Sequence, residues 1–254
     1  MKTKSLLLSA AFAAFAFTAS GRADTPIDEA RAALTANNLP KAESLLVPLT
    51  GADATDAASF HALGQLREKQ RRLKEAVAAY EQATKLDATK PEYFSDLGVA
   101  LSQRMGELSF MQQAMTAGKM KKAFEKSVEL DARHVAGLIG LARYYINAPA
   151  IAGGSMEKAM EFAGRVRALD PFLGEVEQGN VARADEKYAD ALAHYAAAAQ
   201  LNPHHGHVEY LCGTMLEKLE RKDEARTHYT AALKLDPNLE SAKEALAALD
   251  APAS

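Results

Sequence analysis

Leucine, acidic and small residues recur along this chain with a nearly constant spacing. Five segments end on a leucine followed by Asp or Asn, and the last three continue with proline. These leucines, separated by 44, 39, 32 and 34 residues, are Leu86, Leu130, Leu169, Leu201 and Leu235. A period near 34 residues that closes on a turn predicts paired helices, because repeats built from one helix hairpin have this length.

Positions of fixed character precede each closing leucine. Six residues before it stands an aromatic residue or alanine: Tyr80, Phe124, Ala163, Tyr195 and Tyr229. Ten residues before it, with Met120 as the exception, stands a small residue: Ala76, Ala159, Ala191 and Ala225. Further upstream lies a Leu-Gly pair or a variant of it: Leu63-Gly64, Leu97-Gly98, Leu141-Ala142, Gln178-Gly179 and Cys212-Gly213. We expect the small residues to let two helices approach closely, and the aromatic side chain to fill the gap to the next hairpin.

This set of positions resembles the tetratricopeptide repeat (TPR) family, which has Leu-Gly in its first helix and Ala and an aromatic residue in its second. The resemblance implies an all-α, right-handed superhelical solenoid of helix-turn-helix repeats. The repeats we assign are 57–90, 91–134, 135–171, 172–205 and 206–239. A degenerate helix pair at 24–56 precedes them, and a capping helix at 240–250 and a tail at 251–254 follow.

The first 23 residues have the pattern of a secretory signal peptide. Lys2 and Lys4 precede an apolar run from Leu6 to Phe17, and small residues then permit cleavage before Asp24 or, alternatively, after Ser20. The run is shorter than the roughly 20 residues of a membrane span, so an uncleaved anchor is the lesser alternative. We therefore expect export, with the bacterial periplasm as the compartment and no stable membrane insertion after cleavage.

Two repeats carry extra residues between their helices. In 104–118, apolar residues at Met105, Leu108, Met111 and Met115 have helical spacing, so we expect longer helices that project beyond their neighbours. This segment is either a self-packed extension, an adaptable Met-rich surface for a partner, or a thioether copper site. In 147–155, Pro149 should end the first helix, Gly153-Gly154 permits a turn with positive φ, and Ser155 should cap the second helix.

The stretch from Met111 to Asp131, with Tyr144-Tyr145 and the segment from Ala148 to Ala159, resembles a group of exported bacterial TPR proteins. The functional relative that this resemblance suggests is the TPR subunit associated with some periplasmic TRAP-type transporters. Those subunits are typically lipid-anchored, and no cysteine directly follows the apolar run here.

Composition and motifs exclude several classes of chemistry. A net charge of −3 argues against a nucleic-acid binder, and one cysteine allows neither an internal disulfide nor a zinc site of several thiolates. No nucleophile elbow, HExxH or phosphate-binding loop is present, so we expect neither an enzyme nor a cofactor. The single histidine cluster, His204, His205 and His207, could bind a transition metal, but a solvated turn is the simpler interpretation.

The resemblance implies that the first helix of each repeat lines a concave groove that binds a protein or peptide. Its positions correspond to a mixed polar and aliphatic set: His61, Gln65, Lys69, Ser95, Val99, Ile139, Arg143, Val176, Asn180, His207, Tyr210 and Thr214. Arg143, Asn180 and Tyr210 are the strongest single candidates, since Arg and Tyr are frequent binding hot spots. We therefore predict a non-catalytic scaffold for a protein partner. The alternatives are a groove filled by the chain's own N-terminal segment, and an accessory subunit for solute uptake or metal handling.

Overall fold

A computed structural model of the chain describes residues 25–250, so the predicted signal peptide and the tail at 251–254 lie outside the described residues. Within 25–250 the chain forms thirteen α-helices, two short 3-10 helices and no strand. Twelve of the helices form six consecutive antiparallel hairpins: α1 (Pro26–Thr35) with α2 (Leu39–Leu49), α3 (Ala57–Lys69) with α4 (Leu73–Leu86), α5 (Pro91–Gln103) with α6 (Phe110–Leu130), α7 (Val135–Asn147) with α8 (Met156–Leu169), α9 (Pro171–Ala184) with α10 (Tyr188–Leu201), and α11 (Gly206–Lys218) with α12 (Lys222–Leu235). Helix α13 (Glu240–Asp250) packs on α12, and each hairpin packs on its neighbours in chain order. The predicted all-α solenoid is confirmed.

Glycine of the first helix and an aromatic side chain of the second hold most hairpins together. A Cβ atom on Gly64, Gly179 or Gly213 would overlap a tyrosine ring of the same hairpin. These rings, of Tyr80, Tyr195 and Tyr229, are completely buried. These tyrosine rings thus pack against the first helix of their own hairpin, whereas the sequence predicted a contact with the next hairpin.

Phe124 makes both kinds of contact. Its ring lies against Gly98 of its own hairpin and against Gly140 of the following one. Close packing of this kind leaves no room for a larger residue at either glycine. Phe124 therefore fixes the position of α6 between α5 and α7.

Four hairpin turns share one backbone conformation. Each has a non-glycine residue with φ between 55° and 61°, namely Asn37, Arg71, Glu186 and Glu220. The next residue donates its N–H to a carbonyl five positions back, as Arg72 does to Arg67 at 2.8 Å, which satisfies a free carbonyl at the helix end. The two hairpins with insertions, α5–α6 and α7–α8, do not use this turn.

The segment 104–118 differs from the prediction that the helices of its repeat are both lengthened. Helix α5 ends at Gln103, a 3-10 helix covers Arg104–Glu107, and only α6 is extended, to 21 residues. It begins at Phe110 because Ser109 and Gln112 form a capping box there. Gln113 then ties the extension to the 3-10 turn by donating to the carbonyls of Met105 and Leu108 at 3.1 and 3.0 Å.

The segment 147–155 follows the prediction. Helix α7 ends at Asn147, Gly153 has φ of 88°, and the Ser155 hydroxyl accepts the N–H of Lys158 at 3.2 Å. One repeat boundary differs from the sequence prediction. Helix α9 begins at Pro171, whereas the predicted repeat 135–171 includes this residue. Asp170 caps it by accepting the N–H of Leu173 at 2.9 Å.

Candidate functional site

A cavity of about 920 Å³, which we call the polar groove, opens between α1, α3 and α5. Four of the predicted groove residues line it: His61, Gln65, Lys69 and Val99. They come from the first helices of two successive hairpins, and α1 closes the groove on its other side. The structure therefore brings together the predicted residues of the first repeat and one residue of the second.

His61 organises the bottom of the polar groove. Its ring stacks on Tyr93 with 4.5 Å between centroids, and its Nε2 lies 2.8 Å from the carboxylate of Asp96. On the neighbouring side, the Tyr80 hydroxyl donates to Glu68 at 3.0 Å, and the Gln103 amide donates to the other oxygen of the same carboxylate at 2.6 Å. Burial raises the pKa of Tyr80 above its usual value, so its hydroxyl stays a donor. Two acidic groups of the groove are thus already hydrogen-bonded within the chain.

The cations of the polar groove have no such partners. Arg31, Lys69 and Arg71 are exposed, line the groove, and make no ion pair with any residue in 25–250. Among the lining carboxylates, Glu68 and Glu92 likewise make no ion pair with a described residue, whereas Asp96 lies against His61. With Arg31, Lys69 and Arg71 against Glu68, Glu92 and Asp96, the formal charges in the lining of the groove balance, on a chain whose net charge is −3.

A second cavity, of about 730 Å³, lies between α5, α6, α7 and the loop 148–152. We call it the apolar pocket, because most of its lining is carbon from Met105, Met120, Phe124, Ile139 and their neighbours. It includes two further predicted groove residues, Ile139 and Arg143. Val99 and Gln103 line both cavities, so the polar groove and the apolar pocket adjoin.

Both insertions contribute to the apolar pocket, and the loop that closes it is held in place. The Tyr144 hydroxyl donates to the carbonyl of Ala152 at 2.8 Å, and the Ser155 N–H donates to the carbonyl of Tyr145 at 3.0 Å. Lys121 of α6 lies 5.9 and 5.8 Å from the centres of the two tyrosine rings, within the range of cation–π attraction. These contacts link α6, α7 and the loop into one unit.

The extension of α6 serves in part as an internal element and in part as exposed surface. Met105 and Met120 line the apolar pocket, whereas Phe110, Met111 and Met115 are exposed, Phe110 to 88%. The segment is thus packed on the solenoid in part, and its use as a surface for a partner stays a prediction. No histidine lines the apolar pocket beside Met105 and Met120.

Ser95 does not face the groove. It is buried, and its hydroxyl donates to the carbonyl of Glu92 at 3.1 Å and lies 3.0 Å from Nε2 of His134. The groove face of α5 instead carries residues spaced by four and three positions: Glu92, Asp96, Val99 and Gln103. Helical spacing from Val99 could have identified this stripe in the sequence.

The predicted residues of the last two repeats line neither cavity. Val176 and Tyr210 pack against the buried cluster of α9, α10 and α11, and Thr214 donates to the carbonyl of Leu211 at 2.7 Å. The His207 ring lies on Tyr210 with 5.6 Å between centroids. Val176 and Tyr210 thus connect neighbouring helices, whereas these contacts of Thr214 and His207 lie within α11.

Arg143 and Asn180 belong to a network around a buried carboxylate. The guanidinium of Arg143 donates to both oxygens of Glu177, at 3.2 and 2.6 Å, and the amide of Asn180 donates to the same group at 3.3 Å. Asn180 also accepts the hydroxyl of Tyr195 at 2.9 Å. Two of the strongest sequence candidates for binding thus have internal partners, although the Arg143 side chain is 59% exposed.

The histidine cluster has aromatic neighbours. The rings of His205 and Phe172 are 5.2 Å apart, and burial lowers the pKa of His207, which favours its neutral form. Within residues 25–250, no three His, Cys, Asp or Glu side chains are grouped so that they could hold a metal ion. The described structure thus gives no support to His204, His205 and His207 as a metal site.

Several residues line the groove without being indicated by the repeat pattern, among them Arg31, Arg71, Tyr93 and Asp96. Arg31 lies in the degenerate first pair and Arg71 in a turn, and neither position belongs to that pattern. Their place in the groove depends on how neighbouring hairpins stack, which no local spacing encodes.

This architecture, a row of antiparallel helix hairpins whose first helices share one lined face, defines a helical repeat protein of the solenoid class. A family model described as "Tetratricopeptide repeat" matches residues 176–240, and one described as "TPR repeat" matches residues 64–104. Residues 64–104 and 176–240 are thus identified as TPR repeats.

Solved structures similar to this chain have the same fold. A thermophilic TPR protein of Thermus thermophilus is 17% identical with a TM-score of 0.63, over 76% of this chain and 98% of that one. The pilF protein of Pseudomonas aeruginosa is 15% identical with a TM-score of 0.62, over 88% and 96%. The Cut9–Hcn1 hetero-tetramer of APC/C gives 15% identity and a TM-score of 0.66, over 88% of this chain and 42% of that one. At these identities the likeness shows the fold alone.

No curated protein sequence matches the chain. None of the helices within residues 25–250 combines the length and apolar character that crossing a membrane requires.

Proposed function

We propose that this chain is a non-catalytic TPR scaffold that binds a segment of a protein partner along its concave face. The polar groove and the apolar pocket carry the proposal, because they adjoin at Val99 and Gln103 and run from α1 to α7. Together they offer an extended surface with charged, aromatic and aliphatic positions, as peptide recognition requires. A structural neighbour, the Cut9–Hcn1 hetero-tetramer, is itself a protein assembly, which supports this use of the fold.

The proposal places binding on the N-terminal half of the solenoid. Of the twelve predicted groove residues, the six that line the two cavities are His61, Gln65, Lys69, Val99, Ile139 and Arg143. The remaining predicted residues would act indirectly, by holding the hairpins in register. The alternative of an accessory subunit for solute uptake or metal handling is favoured by no observation on residues 25–250, and the resemblance to TRAP-associated subunits stays a prediction.

The proposal is tested by blocking the groove. Val99 is half-buried and lines both cavities, so Val99→Trp should obstruct them. Val47, an exposed valine of α2, gives the matched control Val47→Trp. Cross-linking followed by mass spectrometry in the native cells should recover partner peptides linked to Lys69 in the wild type and the control. These links should be lost in Val99→Trp, and links that persist unchanged would overturn the concave-face assignment.

We also propose export to the bacterial periplasm with removal of residues 1–23. The support is the sequence pattern from Lys2 to Ala23. Cell fractionation followed by N-terminal mass spectrometry of the C-terminally tagged chain should find a periplasmic protein that begins at Asp24 or at Gly21. An intact Met1 in the cytosolic fraction would contradict this proposal, and it would leave the groove assignment untouched.

A further inference from the structure

The exposed face of the α6 extension is a continuous apolar surface, which we call the α6 stripe. It consists of Phe110, Met111, Ala114, Met115 and Gly118, which lie on one side of the helix and are all exposed. Phe110 is 88% exposed, Met111 75% and Met115 68%. These three side chains present roughly 500 Å² of surface to water, and a contiguous apolar patch of that size often marks an interaction site. None of the five residues lines the polar groove or the apolar pocket, so the stripe is a separate surface.

Gly118 has no packing role among residues 25–250. A Cβ atom on it would meet no atom within 4 Å, whereas a Cβ on Gly64, Gly179 or Gly213 would overlap a tyrosine ring. A glycine in the middle of an exposed helix weakens the helix relative to alanine, because glycine loses more conformational freedom on folding. The chain thus keeps a destabilising residue where the packing of a single copy does not require one.

Phe110 and Gly118 complement each other when two copies of α6 pack antiparallel. Inside each copy, the Phe124 ring lies directly against Gly98 of a facing helix, so a ring on a bare glycine is a contact that this chain already uses. Phe110 and Gly118 are eight residues apart, which is about 12 Å along the helix. With a two-fold axis near Ala114, each Phe110 ring therefore lies over Gly118 of the second copy. The small side chain of Ala114 lets the helices approach closely at the axis.

The area of the stripe and the charges at its rim also fit a second copy. Two stripes that face each other remove up to about 1,000 Å² of surface from water, which is the lower limit for a specific interface. Lys122 is exposed one helical turn beyond Gly118 and makes no ion pair with a described residue. A parallel arrangement would place the two Lys122 side chains together. The antiparallel arrangement instead directs each of them toward the pair of Arg104 and Glu107 in the other copy, where the charges cancel.

We propose that the α6 stripe is a homodimer interface: two copies of this chain pair antiparallel through residues 110–118, and each Phe110 ring packs on Gly118 of the second copy. The thioether side chains of Met111 and Met115 fill the other side of the contact. Because the area is small, the dimer is weak and reversible, with a Kd of roughly 10–100 µM. The stripe residues lie outside both cavities, so dimerisation is independent of the concave-face function.

Sedimentation velocity tests the interface on the chain expressed in full and purified as the cell processes it. Between about 1 and 500 µM, the weight-average sedimentation coefficient should rise reversibly to the dimer value. Phe110→Ser removes the ring, and Gly118→Gln occupies the position of the ring while its Cβ meets no atom of its own copy. Each should weaken dimerisation at least about tenfold. The matched controls at exposed positions, Val47→Ser for the first and Ala189→Gln for the second, should dimerise like the wild type.

Cysteine cross-linking tests the orientation of the two helices. The native Cys212 is buried, so cysteines introduced at the surface react separately from it. In the antiparallel register, Met111 of one copy lies beside Met115 of the other. A mixture of Met111→Cys and Met115→Cys should therefore give mainly the mixed disulfide-linked dimer on oxidation with diamide. Lys119→Cys, exposed on α6 but outside the stripe, is the control and should stay monomeric.

Each outcome decides the proposal. A chain that remains monomeric at the highest concentration overturns it, as does a dimer that Phe110→Ser or Gly118→Gln leaves unchanged. Cross-linking of the Met111 and Met115 variants each mainly with itself overturns the antiparallel register. A monomeric chain that loses another cellular protein on these substitutions would assign the stripe to that protein, and it would equally overturn the pairing of two copies. All of these results leave the concave-face function to be decided by Val99→Trp.

Discussion

Arg143 is predicted to stabilise the solenoid, because it neutralises a carboxylate that cannot reach water. The side chain of Glu177 is only 2% exposed, and Arg143 donates two of its hydrogen bonds. In Arg143→Ala, the carboxylate would retain the longer bond from Asn180 and little else. An ionised group left buried without a counter-charge is among the costly defects a substitution can create.

The size of the effect follows from the exposure of the two partners. Breaking a fully buried pair costs about 3–5 kcal/mol. Because the Arg143 side chain is 59% exposed, water can enter where it is removed, and we expect about 2 kcal/mol. For a chain of this size, that loss lowers the Tm by about 4–8 °C.

Thermal unfolding followed by circular dichroism measures this directly. In Arg143→Ala/Glu177→Gln the buried group is an uncharged amide, which should recover at least half of the lost Tm. A Tm of Arg143→Ala within experimental error of the wild type would refute the argument, as would a double variant that is less stable than the single one. The double variant is also the correct background for testing Arg143 as a binding residue, because it separates partner contact from fold stability.

Three further predictions concern the buried aromatic residues and the cysteine. Gly213→Ala should cost about 1–3 kcal/mol in thermal unfolding, because its Cβ overlaps the Tyr229 ring, whereas Gly118→Ala, with no neighbour within 4 Å, should be neutral or stabilising. Burial raises the pKa of Tyr195 to about 12 from a value of about 10 in the unfolded chain, so its contribution to stability is complete below pH 10 and disappears as the pH rises through 12. Circular dichroism between pH 9 and 12 should therefore show alkaline destabilisation that is reduced in Tyr195→Phe. Burial also raises the pKa of the Cys212 thiol to about 12, so a disulfide reagent at pH 8 should label it only as fast as the chain opens; immediate labelling of the folded protein would contradict this.

The hairpin architecture could be predicted because its main contacts are local in sequence. Gly64 and Tyr80 lie in the two helices of one hairpin, as do Gly213 and Tyr229. Both residues of each pair stand in the repeating sequence pattern. The start of α6 was also present in the sequence, since the capping box at Ser109 precedes Phe110. The methionine spacing alone predicted a helix without fixing where it begins.

The groove could be predicted only in part, because it depends on helix rotation and on stacking. Transfer of family positions selected Ser95, which points inward, while its neighbour Asp96 faces the groove. A rotation of one residue, about 100°, decides between a buried and a lining position.

No local sequence pattern predicted the buried acidic residues. Glu175 is buried, and it bonds to Arg167 at 2.8 Å and to His194 at 2.8 Å. The partner of Glu177, Arg143, belongs to the preceding hairpin. Such ion pairs depend on how the hairpins stack, so they can be identified only from the structure.

Regular and irregular hairpins have different tasks in this molecule. Four hairpins share the same positive-φ turn, and three of them pair a glycine with a buried tyrosine. The residues that recur in these hairpins thus mainly stabilise the fold. The two hairpins that lack this turn carry the insertions, and some of the inserted residues line the apolar pocket. Partner choice should therefore follow residues 104–118 and 147–155 more closely than the repeat consensus. We expect that a solenoid without these insertions would keep its hairpin stacking and lose the apolar pocket.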